Sequence, residues 1–301
     1  RFINKDIVEV NNTRITADSI IIATGVSENT PRIQGISDTE FINPSMLLGL
    51  SSLPTSMTII GGGASACETA WLLARFGVNV TIVERSANVL DFLDEDARKR
   101  ILLSLEQLGV RILTNAAITS ISSKKQITCS LAGSDLSYVR SDMLCLATGA
   151  HANTKGMDLQ RAGVSLDKRG FVQTDQYFQT DADGVYAIGS VAGRNSSIDA
   201  QIQESWLVLE RIGGKRFRTP PLPHILRTEP IVAWIGSFEK DCTDCTVLTA
   251  DSRPFFRVPD DTFLKVVHDQ DTVLGAVAVG SESAQLINEM AVLMHSSCDG
   301  L

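Results

Sequence analysis

Between Met57 and Leu113 the spacing of apolar positions switches repeatedly between strand and helix periods. Met57–Ile60 is a short apolar run. Ala64–Phe76 sets Ala70, Leu73 and Ala74 at helical spacing before a stop at Gly77, and Asn79–Val83 is apolar again. Asp94–Leu108 follows, charged on one side and leucine-rich on the other, and ends at Gly109; Val110–Leu113 is the third run. Strand, helix, strand, helix, strand predicts a βαβαβ unit whose parallel sheet is covered by helices. Alternation at Ile118–Ile121, Ile127–Leu131 and Leu136–Val139 predicts an antiparallel meander, after which the apolar run Met143–Leu146 ends in Ala147-Thr148-Gly149.

The same signature occurs earlier. Ile7, Val8, Val10 and Ile15 alternate around Asn11-Asn12, a hairpin signal, and Ile20-Ile21-Ile22 ends in Ala23-Thr24-Gly25. The uninterrupted triple predicts a strand buried on both faces. Two such runs suggest two nucleotide-binding domains, one present in pieces. Downstream, Val185-Tyr186-Ala187-Ile188-Gly189 leads to a helix near Asp199–Ile212, and Pro220, Pro221 and Pro223 mark a boundary. Strands at Ile231–Ile235, Thr262–Val267 and Val273–Val279 with a closing helix over Glu282–His295 read as α+β. The expected division is residues 1–40 as a remnant of one domain, 41–155 as the nucleotide domain, 156–216 as a return to the first, and 217–301 as a terminal domain.

Composition narrows the function. A net charge of −8 over 301 residues argues against a nucleic-acid or anionic-membrane surface. No apolar run approaches the ~18 residues of a membrane span. Six cysteines are too few for a secreted disulfide scaffold, so a reducing, cytoplasmic setting is expected.

The sharpest chemical pattern is Gly61-Gly62-Gly63-Ala64-Ser65-Ala66, directly after a strand and opening a helix. Gly61 allows the tight turn, Gly63 lets a pyrophosphate approach the backbone, and Ala66 keeps the helix close to the strand. The first turn of the helix, with Ala64 and Ser65, offers N–H groups and positive dipole to phosphates. Glu84 ends the second strand about 20 residues on, where an acidic residue takes the adenosine ribose hydroxyls. A carboxylate there favours NAD over NADP, although the adjacent Arg85 offers a charge to a 2′-phosphate. Glu68, read as lying in the first turn of the same helix, either complements the dipole or faces the nicotinamide ribose or flavin. Cys242-Thr243-Asp244-Cys245 is a single CxxC without a second ligand pair and reads as a structural loop. Cys67, Cys129, Cys145 and Cys298 read as packed thiols, and the four histidines show no paired spacing, so no metal site is assigned.

Together, Ser19–Gly25, Gly61–Glu68, Val80–Glu84, Leu144–Thr154, Thr174–Gly193 and Phe263–Ala291 resemble the pyridine nucleotide–disulfide oxidoreductases, most of all the dihydrolipoamide dehydrogenase and mercuric reductase kinds. The resemblance implies Rossmann-like FAD- and NAD(P)-binding domains, the second a βαβαβ with an antiparallel meander, followed by an α+β interface domain that forms a homodimer. It implies NAD(H) on this chain, FAD in the full-length protein, and hydride transfer from NADH through FAD to a disulfide or related acceptor. Gly149, Gly189 and Ser190 fall in its nucleotide-contacting motifs. The family's first FAD turn, its redox cysteine pair and its C-terminal His and Glu find no match here, so no catalytic residue is assigned, and this chain alone is expected to be inactive and to hold FAD weakly. Ser190 stands where the family has an Asp that binds the flavin's ribityl chain, and Gly149-Ala150-His151-Ala152-Asn153 lacks the family's Arg and Pro. Two other readings are a catalytically silent homologue that binds dinucleotide or only dimerises, and a flavoprotein reductase without a disulfide step.

Overall fold

A computed structural model describes residues 1–122, 127–132, 137–193, 198–215, 221–251, 262–270 and 272–296. Among the described residues there are four α-helices: α1 over Ala64–Arg75, α2 over Glu95–Gln107, α3 over Ile198–Ile212 and α4 over Ser283–Ser296. The chain folds as two compact units, residues 1–27 with 150–224, and residues 28–149 with 225–301. The segment from 225 on shares a unit with the βαβαβ region.

The larger unit is an α/β fold around a parallel sheet in the order Met143–Leu146, Ser56–Ile60, Asn79–Val83, Arg111–Leu113. The strands predicted from apolar runs are found within a residue or so; Ser56–Ile60 and Met143–Leu146 are buried along nearly their whole length, and Arg111–Leu113 at the edge is more open. The order reverses beside Ser56–Ile60, which creates a switch point at the carboxyl ends of the strands. α1 covers the sheet with Ala66, Ala70 and Leu73, and α2 with Ala97, Ile101 and Leu105. Asp94 starts α2 as its cap, its Oδ1 accepting from the N–H groups of Asp96 at 3.0 Å and Ala97 at 3.3 Å. The meander is Ala117–Ser122, Ile127–Ala132 and Tyr138–Ser141; part of its last expected strand, at residue 136, lies outside the described residues.

The C-terminal segment from His224 contributes a five-stranded sheet ordered His224–Leu226, Val232–Gly236, Thr272–Val279, Phe263–Asp269, Thr246–Asp251, its last four strands antiparallel. The edge strand Thr246–Asp251 escapes the pattern reading, because its polar threonines and exposed Leu248 blur the alternation. Val232, Phe263, Val277 and Val279 join the core of α1 and α2, while Ala233, Ile235, Ala276 and Ala278 pack with Ile287 of α4. The strand Thr272–Val279 is thus covered on both faces within one chain, and its apolar character is no argument for a partner subunit.

Lys265 explains how the two halves of this unit lock. It lies in the same inward row as Phe263 and Val267, and its side chain is 4% exposed. Its ammonium meets Asp94 Oδ2 at 3.0 Å, Asp96 Oδ2 at 2.5 Å and Glu239 Oε2 at 3.0 Å. Burial alone would lower its pKa; the hydrogen bonds to Asp96, Asp94 and Glu239 outweigh that and raise it, so the charge is retained.

The smaller unit carries the predicted hairpin, with Asn11 and Asn12 both at positive φ between Ile7–Val10 and Thr13–Thr16. Ile20–Ile22 pairs in parallel with Val185–Ala187. Ile21 is 38% exposed, so this strand is not buried on both faces as its sequence suggests; Val185–Ala187 is its sole partner among the described strands. α3 leaves Ile198, Ile202, Trp206 and Leu209 exposed along one stripe. Among the described residues no helix is long and apolar enough to cross a membrane.

Candidate nucleotide-binding site

The turn Gly61-Gly62-Gly63 leaves the carboxyl end of Ser56–Ile60 at the switch point and opens into a cavity of about 660 Å³. Its three glycines do three different things. Gly61 has φ +108°, and a β-carbon there would meet the Ala147 carbonyl oxygen at 2.3 Å, so only glycine fits. Gly62 lies flush against Glu84 and Val89. Gly63, the N-cap of α1, has no protein atom within 4 Å of where a β-carbon would stand, and it supplies no side-chain cap. The first-turn N–H groups of α1, at Ala64, Ser65 and Ala66, therefore have no side chain competing for them, and the helix dipole directs positive potential to that end. Ala66 is fully buried against the sheet, the close helix–strand approach its small side chain permits.

Glu84 ends Asn79–Val83 on the other side of the cavity. Its Oε2 accepts from the Gly62 N–H at 2.7 Å and its Oε1 from the Ser86 N–H at 2.6 Å. Two backbone donors fix the carboxylate, yet each oxygen keeps a lone pair for a further donor such as a ribose hydroxyl. Arg85 and Arg32 line the same cavity, with Ala116, Ala117 and Ile118 of the meander and Thr148 and Gly149 opposite. Gly149 accepts from Asn29 N–H at 2.9 Å, and Thr148 Oγ1 donates to the Asn29 carbonyl at 2.8 Å, fixing the segment that carries Arg32. Pattern reading missed Arg32 because it lies in an irregular stretch with no spacing rule.

Glu68 is placed differently. It is the fifth residue of α1, beyond the first turn, and does not line the cavity; its Oε1 accepts from the Arg227 N–H at 2.8 Å. The carboxylate thus ties α1 to the C-terminal sheet.

In the smaller unit, Gly189 and Ser190 line a separate cavity of about 240 Å³ with Ala23, Gly25, Ile188 and, from α3, Gln201, Ile202 and Ser205. Gln201 Nε2 donates to Ser190 Oγ at 3.3 Å, and the Gly189 N–H donates to Glu204 Oε2 at 2.6 Å. Glu204 is 1% exposed, and sequence reading passed over it, although a carboxylate four residues from each of the buried Ala200 and Val208 is the visible signal. Cys67, Cys129 and Cys145 are buried, and burial pushes their thiols up to about 12, 11 and 12, which keeps them protonated and inert. Cys298 lies outside the described residues. No cluster of three or more metal-ligating side chains occurs among the described residues.

The model of the family described as pyridine nucleotide-disulphide oxidoreductase matches residues 1–206. The mercuric reductase of Bacillus cereus is 28% identical over 95% of this chain and 48% of its own length. The dihydrolipoyl dehydrogenase of Haemophilus influenzae is 28% identical over 96% of this chain and 63% of its own length. The chain therefore spans about half to two thirds of these curated relatives. The structure of the HOCl-induced flavoprotein disulfide reductase RclA from Escherichia coli superposes with a TM-score of 0.83 at 27% identity, covering 98% of this chain and 71% of that one.

Proposed function

Because this chain belongs to the pyridine nucleotide-disulphide oxidoreductase family, we propose that it carries the NADH-binding region and part of the flavin-binding region of an enzyme that reduces a disulfide or related acceptor. Members of the family are FAD-dependent and use NAD(P)H. The observation that carries the reading is the cavity between Gly63 at the start of α1 and Glu84 at the end of its strand. One end offers unspent backbone donors to a pyrophosphate, the other a fixed carboxylate to a ribose diol. Gly61, Gly63, Ala64, Ser65 and Ala66 hold the phosphates, Glu84 the adenosine ribose, and Gly149 lines the far wall. Arg32 and Arg85 add positive charge at the rim.

The cavity at Gly189 and Ser190 fits a polar chain, because the hydroxyls of Ser190 and Ser205 and the Gln201 amide line it among apolar residues. Ser190 and Gln201 would hold the ribityl part of FAD there, and Glu204 stiffens the turn beneath them. The chemistry that FAD supplies when bound is two-electron exchange with the nicotinamide. The exposed stripe of α3 at Ile198, Ile202, Trp206 and Leu209 suits cover by further protein of the flavin-binding region. A second reading, a homologue that binds dinucleotide without turnover, is favoured by Ser190, since a hydroxyl replaces a carboxylate and a charge-assisted bond is about twice as strong as a neutral one.

Titration of the chain with NADH should give saturable binding at one site per chain, followed by calorimetry; absence of saturation in the millimolar range would refute the reading. The family resemblance implies a homodimer, and Val292 and Leu293 of α4 are exposed. We expect a dimer in sedimentation at tens of micromolar, and a monomer for Val292→Asp combined with Leu293→Asp. Wild-type chain that sediments only as monomer would contradict this.

A further inference from the structure

The function proposed above makes no use of Cys242-Thr243-Asp244-Cys245, yet its geometry differs from that of the other described cysteines. Cys67, Cys129 and Cys145 are buried, whereas Cys242 and Cys245 are both partly exposed, both free, and close enough for Cys242 to raise the Cys245 thiol. They lie between a short 3₁₀ turn over Glu239–Asp241 and the edge strand Thr246–Asp251.

The turn before them is held at every residue. Glu239 pairs with buried Lys265 at 3.0 Å, Lys240 Nζ donates to the Asp91 carbonyl at 2.8 Å, and Asp241 Oδ2 accepts from the Phe238 N–H at 3.2 Å. The Cys242 N–H itself donates to the Glu239 carbonyl at 3.2 Å. On the other side, Thr246–Asp251 is fixed by its ladder to Phe263–Asp269. Both ends of the four-residue loop are thus anchored, which holds the two sulfurs near one another and limits the entropy lost in joining them. A metal would need further ligands, and no cluster of three or more candidates occurs among the described residues.

We infer that Cys242 and Cys245 form a reversible intraloop disulfide, a redox-modification site separate from the nucleotide-binding cavity, closed by exchange with low-molecular-weight disulfides. The thiolate of Cys242 attacks the small disulfide and expels one small thiolate, giving a mixed disulfide at Cys242. The thiolate of Cys245 then attacks the Cys242 sulfur and expels the second small thiol. Two protein thiols are oxidised, one small disulfide is reduced to two thiols, and no other oxidant is required. The interaction with Cys242, and then burial, raise the Cys245 thiol; either sulfur can make the first attack, since both orders give the same disulfide and the same two small thiols.

The test is incubation of the 301-residue chain with glutathione disulfide, quenching with N-ethylmaleimide, and intact-mass and peptide mapping. The expected product is two hydrogens lighter than the reduced chain, with the linkage mapped to Cys242–Cys245 and reversed by dithiothreitol. Cys242→Ser and Cys245→Ser should each stop at a stable glutathione adduct on the remaining cysteine, with complete loss of the lighter species. Adducts persisting on both cysteines of the wild type, a linkage that maps to Cys298, no modification at either position, or a zinc ion retained by the pair in native mass spectrometry would each overturn the inference.

Discussion

Lys265→Ala should destabilise the protein by about 3–5 kcal/mol, the cost of breaking a buried ion pair from one side. The lysine side chain is 4% exposed, and so is that of Asp94. Removing the ammonium leaves the Asp94 carboxylate buried with only its cap donors, and removes the tie from the start of α2 to the strand Phe263–Asp269. In thermal unfolding the midpoint should fall by roughly 6–20 °C, at ~2–4 °C per kcal/mol for a domain of this size. Lys265→Met keeps the apolar stem and should lose similar stability, because the carboxylates still lack their counter-charge; restoration by Lys265→Met with Asp94→Asn would separate charge from packing. The same cluster predicts an acid dependence. The Asp96 carboxyl is held below its usual range, first by its hydrogen bond with Lys265. A depressed carboxylate contributes stability above its unfolded pKa, about 3.9, that is lost as pH falls through the lower folded value. The stability gap between wild type and Lys265→Met should therefore be full at neutral pH and narrow below about pH 4. Equal midpoints for wild type and Lys265→Ala at neutral pH would remove this cluster from the account.

Gly61→Ala and Gly63→Val should separate folding from binding within one turn. At Gly61 an added β-carbon meets the Ala147 carbonyl oxygen at 2.3 Å, in a backbone conformation with φ +108°. The strain alone is worth ~1–3 kcal/mol and the clash adds to it, so Gly61→Ala should unfold at markedly lower temperature. At Gly63 the backbone is extended and a β-carbon meets nothing, so Gly63→Val should keep its melting midpoint within a degree or two. Its branched side chain instead fills the space over the first turn of α1. Loss of one or two charge-assisted bonds from phosphate to backbone, at ~1.5–3 kcal/mol each, weakens NADH binding by about 10-fold to 10,000-fold. Thermal scans and calorimetry on both variants check this. A Gly63→Val chain that binds NADH as tightly as wild type would place the pyrophosphate elsewhere.

What the sequence made legible was what has a period. The parallel sheet, both helices around it and the hairpin at Asn11-Asn12 follow from apolar spacing and turn residues, and the glycine turn with Glu84 follows from a motif whose spacing is set by ligand geometry. The features that escaped are contacts between segments distant in sequence. Lys265 shares the inward row of Phe263 and Val267, and only its contacts with Asp94, Asp96 and Glu239 explain a lysine there. Glu68 reads as a dipole complement or as a residue facing the nicotinamide ribose or flavin, and its bond from the Arg227 N–H has no local signal. The cover of Thr272–Val279 by α4 on one face and the α1–α2 core on the other likewise joins segments that no local pattern connects. Ile20–Ile22 misleads in the opposite sense: its composition promises burial on both sides, and Ile21 is half-open.

The central claim is that Glu84 selects the dinucleotide. Its carboxylate is already fixed by the Gly62 and Ser86 N–H groups, so it meets a ribose diol without reorganisation and repels a 2′-phosphate. Calorimetric titration of wild type and Glu84→Ala with NADH and NADPH measures this directly. The account predicts that wild type prefers NADH by about 10- to 100-fold, the worth of a charge-assisted hydrogen bond of ~1.5–3 kcal/mol, and that Glu84→Ala binds NADH more weakly with the preference gone. Equal affinities in wild type, or an unchanged preference in Glu84→Ala, would contradict it.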